Sequence, residues 1–351
     1  MERRSVGRWI RVPLPALLVG VALTLACTGD PETGTSDQAD ELRIALLTSG
    51  PVSDAGWYAG AYEGLLMLED SLGASVSHQQ TRTPSEFDEA FRSYGASGYD
   101  LVFAHGFEYQ DAAIRAAELF PEMMIVVSGG GRVAETVVPL VFELEEGSYL
   151  AGMVAGGMTR SDTLGMVGGV AIPPAEGTFR AFEAGARAVN PEVTVLETWI
   201  GNWDDVGAAK EAAVAQIRRG ADILIHNTDA ASFGVFQAVR EAVDAGDWAW
   251  IMGMNRDQND IAPEITLGSA VIDIPRSFLE TARSWQAGEL GGVPLYVGTG
   301  ESVVDFVPNP TVMDTIPADL RARVDEARQA IRAGSLDVPR IPFVEGETDT
   351  P

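Results

Sequence analysis

Positive charge is what this 351-residue sequence has least of. Lys and Arg number 24 against 51 Asp and Glu, a formal net charge of −27, and the one lysine is Lys210. So anionic a chain repels phosphate backbones, which argues against nucleic acid as a partner. Cysteine is nearly absent as well. Cys27 stands alone, which rules out an intrachain disulfide, a cysteine-ligated zinc site and an iron–sulfur cluster. His78, His105 and His226 are the only histidines, too few for a histidine-rich metal centre. There is no G-x-S-x-G elbow, no H-E-x-x-H helix and no cysteine placed as a nucleophile. The expectation is therefore a protein without cofactor, metal or catalytic residues, and not an enzyme. What the chain does have is apolar content, 46% hydrophobic against 21% charged, the balance of a folded protein. Its length fits about two domains and lets roughly three quarters of its surface be buried without staples.

The amino terminus reads as an export signal. Arg3, Arg4, Arg8 and Arg11 precede the apolar run Val12–Ala26, whose fifteen residues include Pro13 and Pro15. Such a run is too short to span a bilayer but suits a signal-peptide core. Leu23-Thr24-Leu25-Ala26-Cys27 resembles the bacterial lipoprotein box, with Thr24 where leucine is usual. Residues 1–26 are thus expected to be removed and Cys27 to be lipidated, anchoring an exported protein to the cell envelope. An ordinary signal peptide with an incidental cysteine is the alternative. Residues 27–41 are polar and acidic, as a flexible tether would be, and 343–351 read as a frayed tail.

Between these ends, strands and helices alternate. Short apolar runs at Arg43–Thr48, Asp100–Ala104, Met123–Val127 and Leu140–Leu144 are separated by helical spacing at Trp57–Leu72, Ser85–Tyr94 and Tyr109–Leu119. The pattern then restarts. Strands at Leu164–Val167, Thr194–Ile200, Asp222–Ile225 and Trp250–Gly253 alternate with helices near Gly177–Val189, Asp205–Arg219 and Ser232–Ala245. Near-continuous apolar strands alternating with helices predict parallel sheets covered on both faces. The fold class is α/β, with two Rossmann-like lobes and three interlobe crossings. Residues 42–145 plus about 274–293 form the first lobe, and 146–273 plus about 294–342 the second. The first crossing falls at Glu145-Glu146-Gly147, opening a helix over Ser148–Met158.

Ligands of open parallel sheets bind beyond the carboxyl ends of the strands, and pockets concentrate between domains. The strand-end loops supply the candidate ligand-binding residues Asp54, Trp57, Tyr58, His105, Phe107, Phe179, Trp203, Asp229, Asn255 and Asp257. Each has a structural alternative. Asp54 and Asp229 suit helix caps, Trp57, His105, Phe107, Phe179 and Trp203 suit packing, and Asn255 and Asp257 suit a turn. The aromatics favour a flat heterocycle, neutral nucleosides foremost, since stacking contributes ~1–3 kcal/mol per ring. Asp54, Asp229, Asn255 and Asp257 keep a sugar open. Phosphorylated ligands are disfavoured, because Arg256 is the nearest obvious cation.

Several segments, in order, resemble the basic membrane protein (BMP) family of ABC-transporter binding proteins. They are Ser53–Tyr58 with Ala61–Gly64, Phe142–Gly152, Gly165–Gly169, Pro174 with Phe179–Gly185, Gly201–Asp205 with Ala209-Lys210, Gly234–Phe236 and Gly253–Gln258. The resemblance runs from about Leu42 to Pro342. It implies a type I periplasmic-binding-protein fold and a lipid-anchored receptor that closes two lobes on a small ligand. It also implies partners, an ABC permease and its ATPase. In relatives that bind purine nucleosides, a first-loop aspartate and asparagine hold the base between aromatics, and an acid and a lysine of the second lobe hold the ribose. Asp54 and Trp57 fit the first-loop acid and aromatic positions. Tyr58 replaces the asparagine, Asn255 stands where an aspartate is common, and Ile272 falls where the lysine would be. The same fold coupled to a sensor protein, or an enzyme acting on a sugar or nucleoside, are the alternatives.

Overall fold

The computed structural model describes residues 41–347. The signal segment, Cys27 and residues 27–40 of the tether lie outside the described residues, as do 348–351.

In chain order the elements are β1 (Arg43–Thr48), α1 (Trp57–Leu72), β2 (Ser75–Gln80), α2 (Pro84–Ala96), β3 (Leu101–His105), α3 (Gln110–Leu119), β4 (Met124–Ser128) and β5 (Val137–Phe142). Then follow α4 (Leu144–Met158), β6 (Thr163–Gly168), α5 (Pro173–Val189), β7 (Thr194–Trp199), α6 (Val206–Arg218), β8 (Ile223–Asn227), α7 (Ser232–Asp244) and β9 (Trp250–Asn255). The last are β10 (Thr266–Ile272), α8 (Ile274–Gln286), β11 (Leu295–Val297), β12 (Val304–Pro308) and α9 (Ala318–Arg332).

Local chemistry accounts for many of the boundaries. In α2, Thr83 and Glu86 form a reciprocal capping box with Pro84 in the first turn. Asp205 caps α6 by accepting from Ala208 N, and Asp273 caps α8 by accepting from Arg276 N. The strands β3, β4, β5 and β8 are buried at every position, as parallel strands covered on both faces must be.

Two six-stranded sheets result, in the orders β11-β5-β4-β3-β1-β2 and β12-β10-β9-β8-β6-β7. All pairs are parallel except β10–β12. The chain passes between the sheets after β5, after β10 and after β11, and these three passages are tied together. Glu143 N donates to Val297 O, Asp273 N donates to Val303 O, and Val304 N donates to Gly298 O. In the second lobe α4 lies very close on α5. A Cβ added at Gly152 would stand 2.0 Å from Phe182 O, and one at Gly185 would stand 2.0 Å from Tyr149 O, so neither position admits a side chain.

Some details differ from the sequence reading. The strand expected at Leu140–Leu144 lies three residues earlier, at Val137–Phe142, and the helix expected from Ser148 begins at Leu144. Leu295–Val297 pairs with β5 in the first sheet, whereas residues from 294 onward were assigned to the second lobe. Only from Val304 does the chain join the second sheet. The tail expected from 343 is docked as far as it is described. Glu345 N donates to Gly131 O, and the Glu347 carboxylate accepts from Tyr296 Oη, Arg340 Nη2 and the backbone N–H groups of Phe343 and Val344. A carboxylate with four donors holds a segment that composition alone presents as loose.

Candidate functional site: a cleft between the lobes

The site is organised by Asp54, which is fully buried in the loop after β1. Its Oδ1 accepts from Gly56 N (3.1 Å) and Ala59 N (2.9 Å), and its Oδ2 accepts from Tyr58 N (2.9 Å). These are donors left unsatisfied by the first turn of α1, whose N-cap, Gly56, has no side chain to offer. Burial raises the Asp54 pKa and the three N–H bonds pull against that rise. The tight turn holds Ala55 at φ 58°, a left-handed conformation uncommon outside glycine, and aims Trp57 and Tyr58 at the cleft.

Trp57 stacks on His105, with ring centroids 3.8 Å apart and planes at 27°, and meets Phe142 edge-on at 5.7 Å. His105 Nε2 donates to the Trp57 carbonyl at 3.1 Å. Burial pushes His105 down to about 3, so the imidazole is neutral and serves as a backing plate. The Tyr58 hydroxyl lies 2.7 Å from Ser49 Oγ, which in turn donates to Glu108.

The cavity encloses about 650 Å3, counting the solvent at its open side. Trp57, Tyr58, Phe107, Glu108, Phe142 and Leu144 line it from the first-lobe side, with Ile172, Pro174, Thr178, Trp203, Asn227, Asp229, Asn255 and Ile272 opposite. Phe343, from the docked carboxyl-terminal segment, completes the wall. Its ring meets Phe107 at 6.3 Å. The mouth adds Ser49, Arg82, Phe87 and Asp204. Largely apolar walls with few polar groups are those of a small-molecule site.

Polar groups gather at the second-lobe strand ends. Asn255 Nδ2 donates to Asp229 Oδ1 at 3.4 Å, and Asn227 Nδ2 donates to Thr178 Oγ1 at 3.2 Å. Asp229 and Asn255 both have positive φ, 45° and 70°. Burial, then the charges of Asp54 and Glu108, hold the Asp229 carboxyl well above its ordinary range. Desolvation raises the Glu108 carboxyl too, with the hydrogen bond from Ser49 pulling against that rise. The lobes touch beside the cavity, where Arg256 pairs with Glu63 at 2.7 Å and Gln258 Nε2 donates to Ala55 O at 3.2 Å. Gln258 is oriented by His226, whose Nε2 donates to its Oε1 at 2.9 Å and whose pKa burial lowers to about 4.

Of the ten residues chosen from the sequence, Trp57, Tyr58, Phe107, Trp203, Asp229 and Asn255 line the cavity. The other four do not. Asp54 has both carboxylate oxygens engaged by backbone N–H groups at the start of α1, His105 sits behind Trp57, and Phe179 is buried against Trp199 at 4.9 Å. Asp257 is exposed and accepts from Asn259 N in its own turn. Sequence reasoning missed Glu108, Phe142, Thr178, Asn227 and Phe343. Glu108 and Asn227 had a usable signal, since both sit at strand ends. Phe343 had none.

Two α/β lobes joined by three passages around a cleft are the architecture of type I periplasmic binding proteins. The family described as ABC transporter substrate-binding protein, PnrA-like (Bmp), matches residues 41–334, and this chain belongs to it. A purine-binding protein of Brucella abortus is 26% identical over 307 residues, 87% of this chain and 85% of the relative. A Haloferax volcanii protein named for glucose binding in an ABC transporter is 28% identical over 329 residues, 92% of this chain and 81% of the relative. Among solved structures, a solute-binding protein of an Aeropyrum pernix ABC transporter superposes with a TM-score of 0.77 at 20% identity, covering 85% of this chain and 92% of that one. The chain is thus an extracytoplasmic ABC-transporter substrate-binding protein, and its family and the Aeropyrum pernix and Conexibacter woesei fold neighbours are solute-binding proteins, not enzymes. Among the described residues no helix is long and apolar enough to cross a membrane.

Proposed function

We propose that this protein captures a nucleoside or related heterocycle between its lobes, is held to the cell envelope through lipid on Cys27, and passes the ligand to its permease. The observation that carries the ligand reading is the cavity wall, where Trp57, Phe107, Trp203 and Phe343 stand around one space with Asp229 and Asn255 at its polar end. Aromatic faces hold flat rings, and a few fixed polar groups select their edges. The purine-binding name of the Brucella relative is consistent with this. A sugar is the second reading. Thr178, Asn227, Asp229 and Asn255 offer hydroxyl partners, and the Haloferax relative is named for glucose.

Calorimetry with purine and pyrimidine nucleosides, free bases, pentoses and glucose separates the two. Binding of a heterocycle but of no free sugar supports the first reading, and glucose or a pentose binding alone overturns it. The anchor has its own test. Cys27→Ser protein should lose lipid mass and appear in the soluble fraction, and an unchanged mass and location refute lipidation. One acyl chain binds membranes only marginally, whereas two or more hold stably.

A further inference from the structure

Building on the heterocycle reading, we infer that the ligand carries a positive charge on or beside its ring, received by Glu108 and Asp229 within the aromatic walls. The cavity is one-sided in charge. Among the described residues, Glu108 and Asp229 are the charged ones that line it. Arg82 reaches only the mouth, Arg256 is paired with Glu63 at the rim, and Lys210 is paired with Glu241 on the outer helices. Ile272, which lines the cavity, supplies no charge.

Asp229 is the stronger of the two observations. It is 7% exposed, and its one hydrogen bond from the described residues is the long contact from Asn255 to Oδ1. The residue lines the cavity, its Oδ2 has no protein donor among the described residues, and its backbone is held at φ 45°. The ionised form of this carboxyl is costly without a counter-charge, which is why burial favours its protonated form, and a cation in contact with it relieves that cost and restores the carboxylate.

The walls act in the same direction. Trp57, Tyr58, Phe107, Phe142, Trp203 and Phe343 surround the space. Aromatic faces are negative at their centres, so they attract a desolvated cation beyond ordinary stacking. Rings and carboxylates together, with no basic residue among them, recognise a quaternised or protonated heteroaromatic better than its neutral parent. A neutral ligand rich in hydroxyls could donate to the same oxygens, but it would offer the ionised carboxyls no counter-charge.

The test pairs each cation with its neutral parent on the mature full-length protein at pH 7: 1-methyladenosine with adenosine, and 1-methylnicotinamide with nicotinamide. Calorimetry should show at least one cation binding about tenfold or more tighter than its parent, a gap of ~1.4 kcal/mol. Asp229→Asn keeps the shape and tolerates positive φ, and Glu108→Gln is a second, more exposed substitution. Either should bring the cation-to-neutral ratio down toward one. Equal or tighter binding of the neutral member in both pairs overturns the inference, as does a ratio unchanged in both variants. Adenosine binding as well as 1-methyladenosine would overturn the charge and leave the nucleoside reading intact. Binding of 1-methylnicotinamide alone would support the charge and remove the nucleoside. No binding of any of the four overturns the inference together with the reading beneath it.

Discussion

Trp57→Ala removes the aromatic face that the site is built to present. One face of the indole is covered by His105 at 3.8 Å, so at most the opposite face, beside the perpendicular Phe142 ring, is left for ligand. One base–aromatic stack contributes ~1–3 kcal/mol, so the substitution should weaken binding roughly 5- to 150-fold. The loss must be separated from damage to the apo protein. The His105 bond goes to the Trp57 carbonyl and survives truncation, but the buried imidazole loses its cover. Trp57→Leu addresses this by keeping apolar volume over His105 while deleting the π face. Isothermal titration with whichever ligand the wild type binds, alongside apo melting curves, reads both effects. Both variants should lose affinity, and Trp57→Leu should melt close to wild type. Wild-type affinity in either variant refutes the placement of the ligand against this ring.

Other outcomes follow from the same geometry. Asp54→Ala should lower the apo melting point and loosen Trp57 and Tyr58 in the cavity wall, since it strips three hydrogen bonds from the start of α1 at about 1–3 kcal/mol in all; differential scanning calorimetry checks the first. Phe343→Ala, or Glu347→Ala to release its segment, should speed ligand dissociation several-fold in stopped-flow fluorescence, and unchanged rates would show that the segment only packs. Glu145 is 6% exposed and burial pushes it up to about 8 from an ordinary 4.5, so the folded state holds its proton where the unfolded state has lost it. Stability from this group is therefore complete below about pH 4.5 and declines as pH rises toward 8. Glu145→Gln should flatten that decline, by a few kcal/mol, in denaturant titrations across the window. Saturating ligand at about 100 Kd should stabilise the protein by ~2.7 kcal/mol and reduce its radius of gyration in solution scattering.

Much of the architecture is legible in the residues because apolar periodicity reports burial directly. Arg43–Thr48 and Trp57–Leu72 have the same bounds in sequence and structure, since the first is buried at five of six positions and the second buries one face. The edge strand β2, Ser75–Gln80, escapes such a reading: its SVSHQQ is half-buried to exposed and has no apolar run. Helix α9 is charged at seven of its fifteen positions, and its thin stripe of Leu320, Val324 and Ile331 gives little apolar signal. The three-residue β11 is fixed by pairing with β5, a tertiary fact.

In the site, the rule that ligands sit beyond parallel strand ends located the cavity wall well. It could not tell a side chain facing the cleft from one supporting it. Asp54 as a ligand acceptor and Asp54 as a helix cap look alike in sequence, and only the three N–H bonds decide. His105 and Phe179 are similarly strand-end or helix aromatics turned inward. Phe343 reaches the cavity because Glu347 gathers four donors, Tyr296 and Arg340 among them, and no local pattern announces such a contact.

The most direct measurement of the central claim is native mass spectrometry of the protein purified from its own host, followed by denaturing release of whatever the lobes retain. A closed, aromatic-walled cleft predicts one bound small molecule per chain, with a nitrogen-containing formula, near-ultraviolet absorbance and no phosphate. A saccharide without a chromophore, or a phosphorylated compound, would contradict the account.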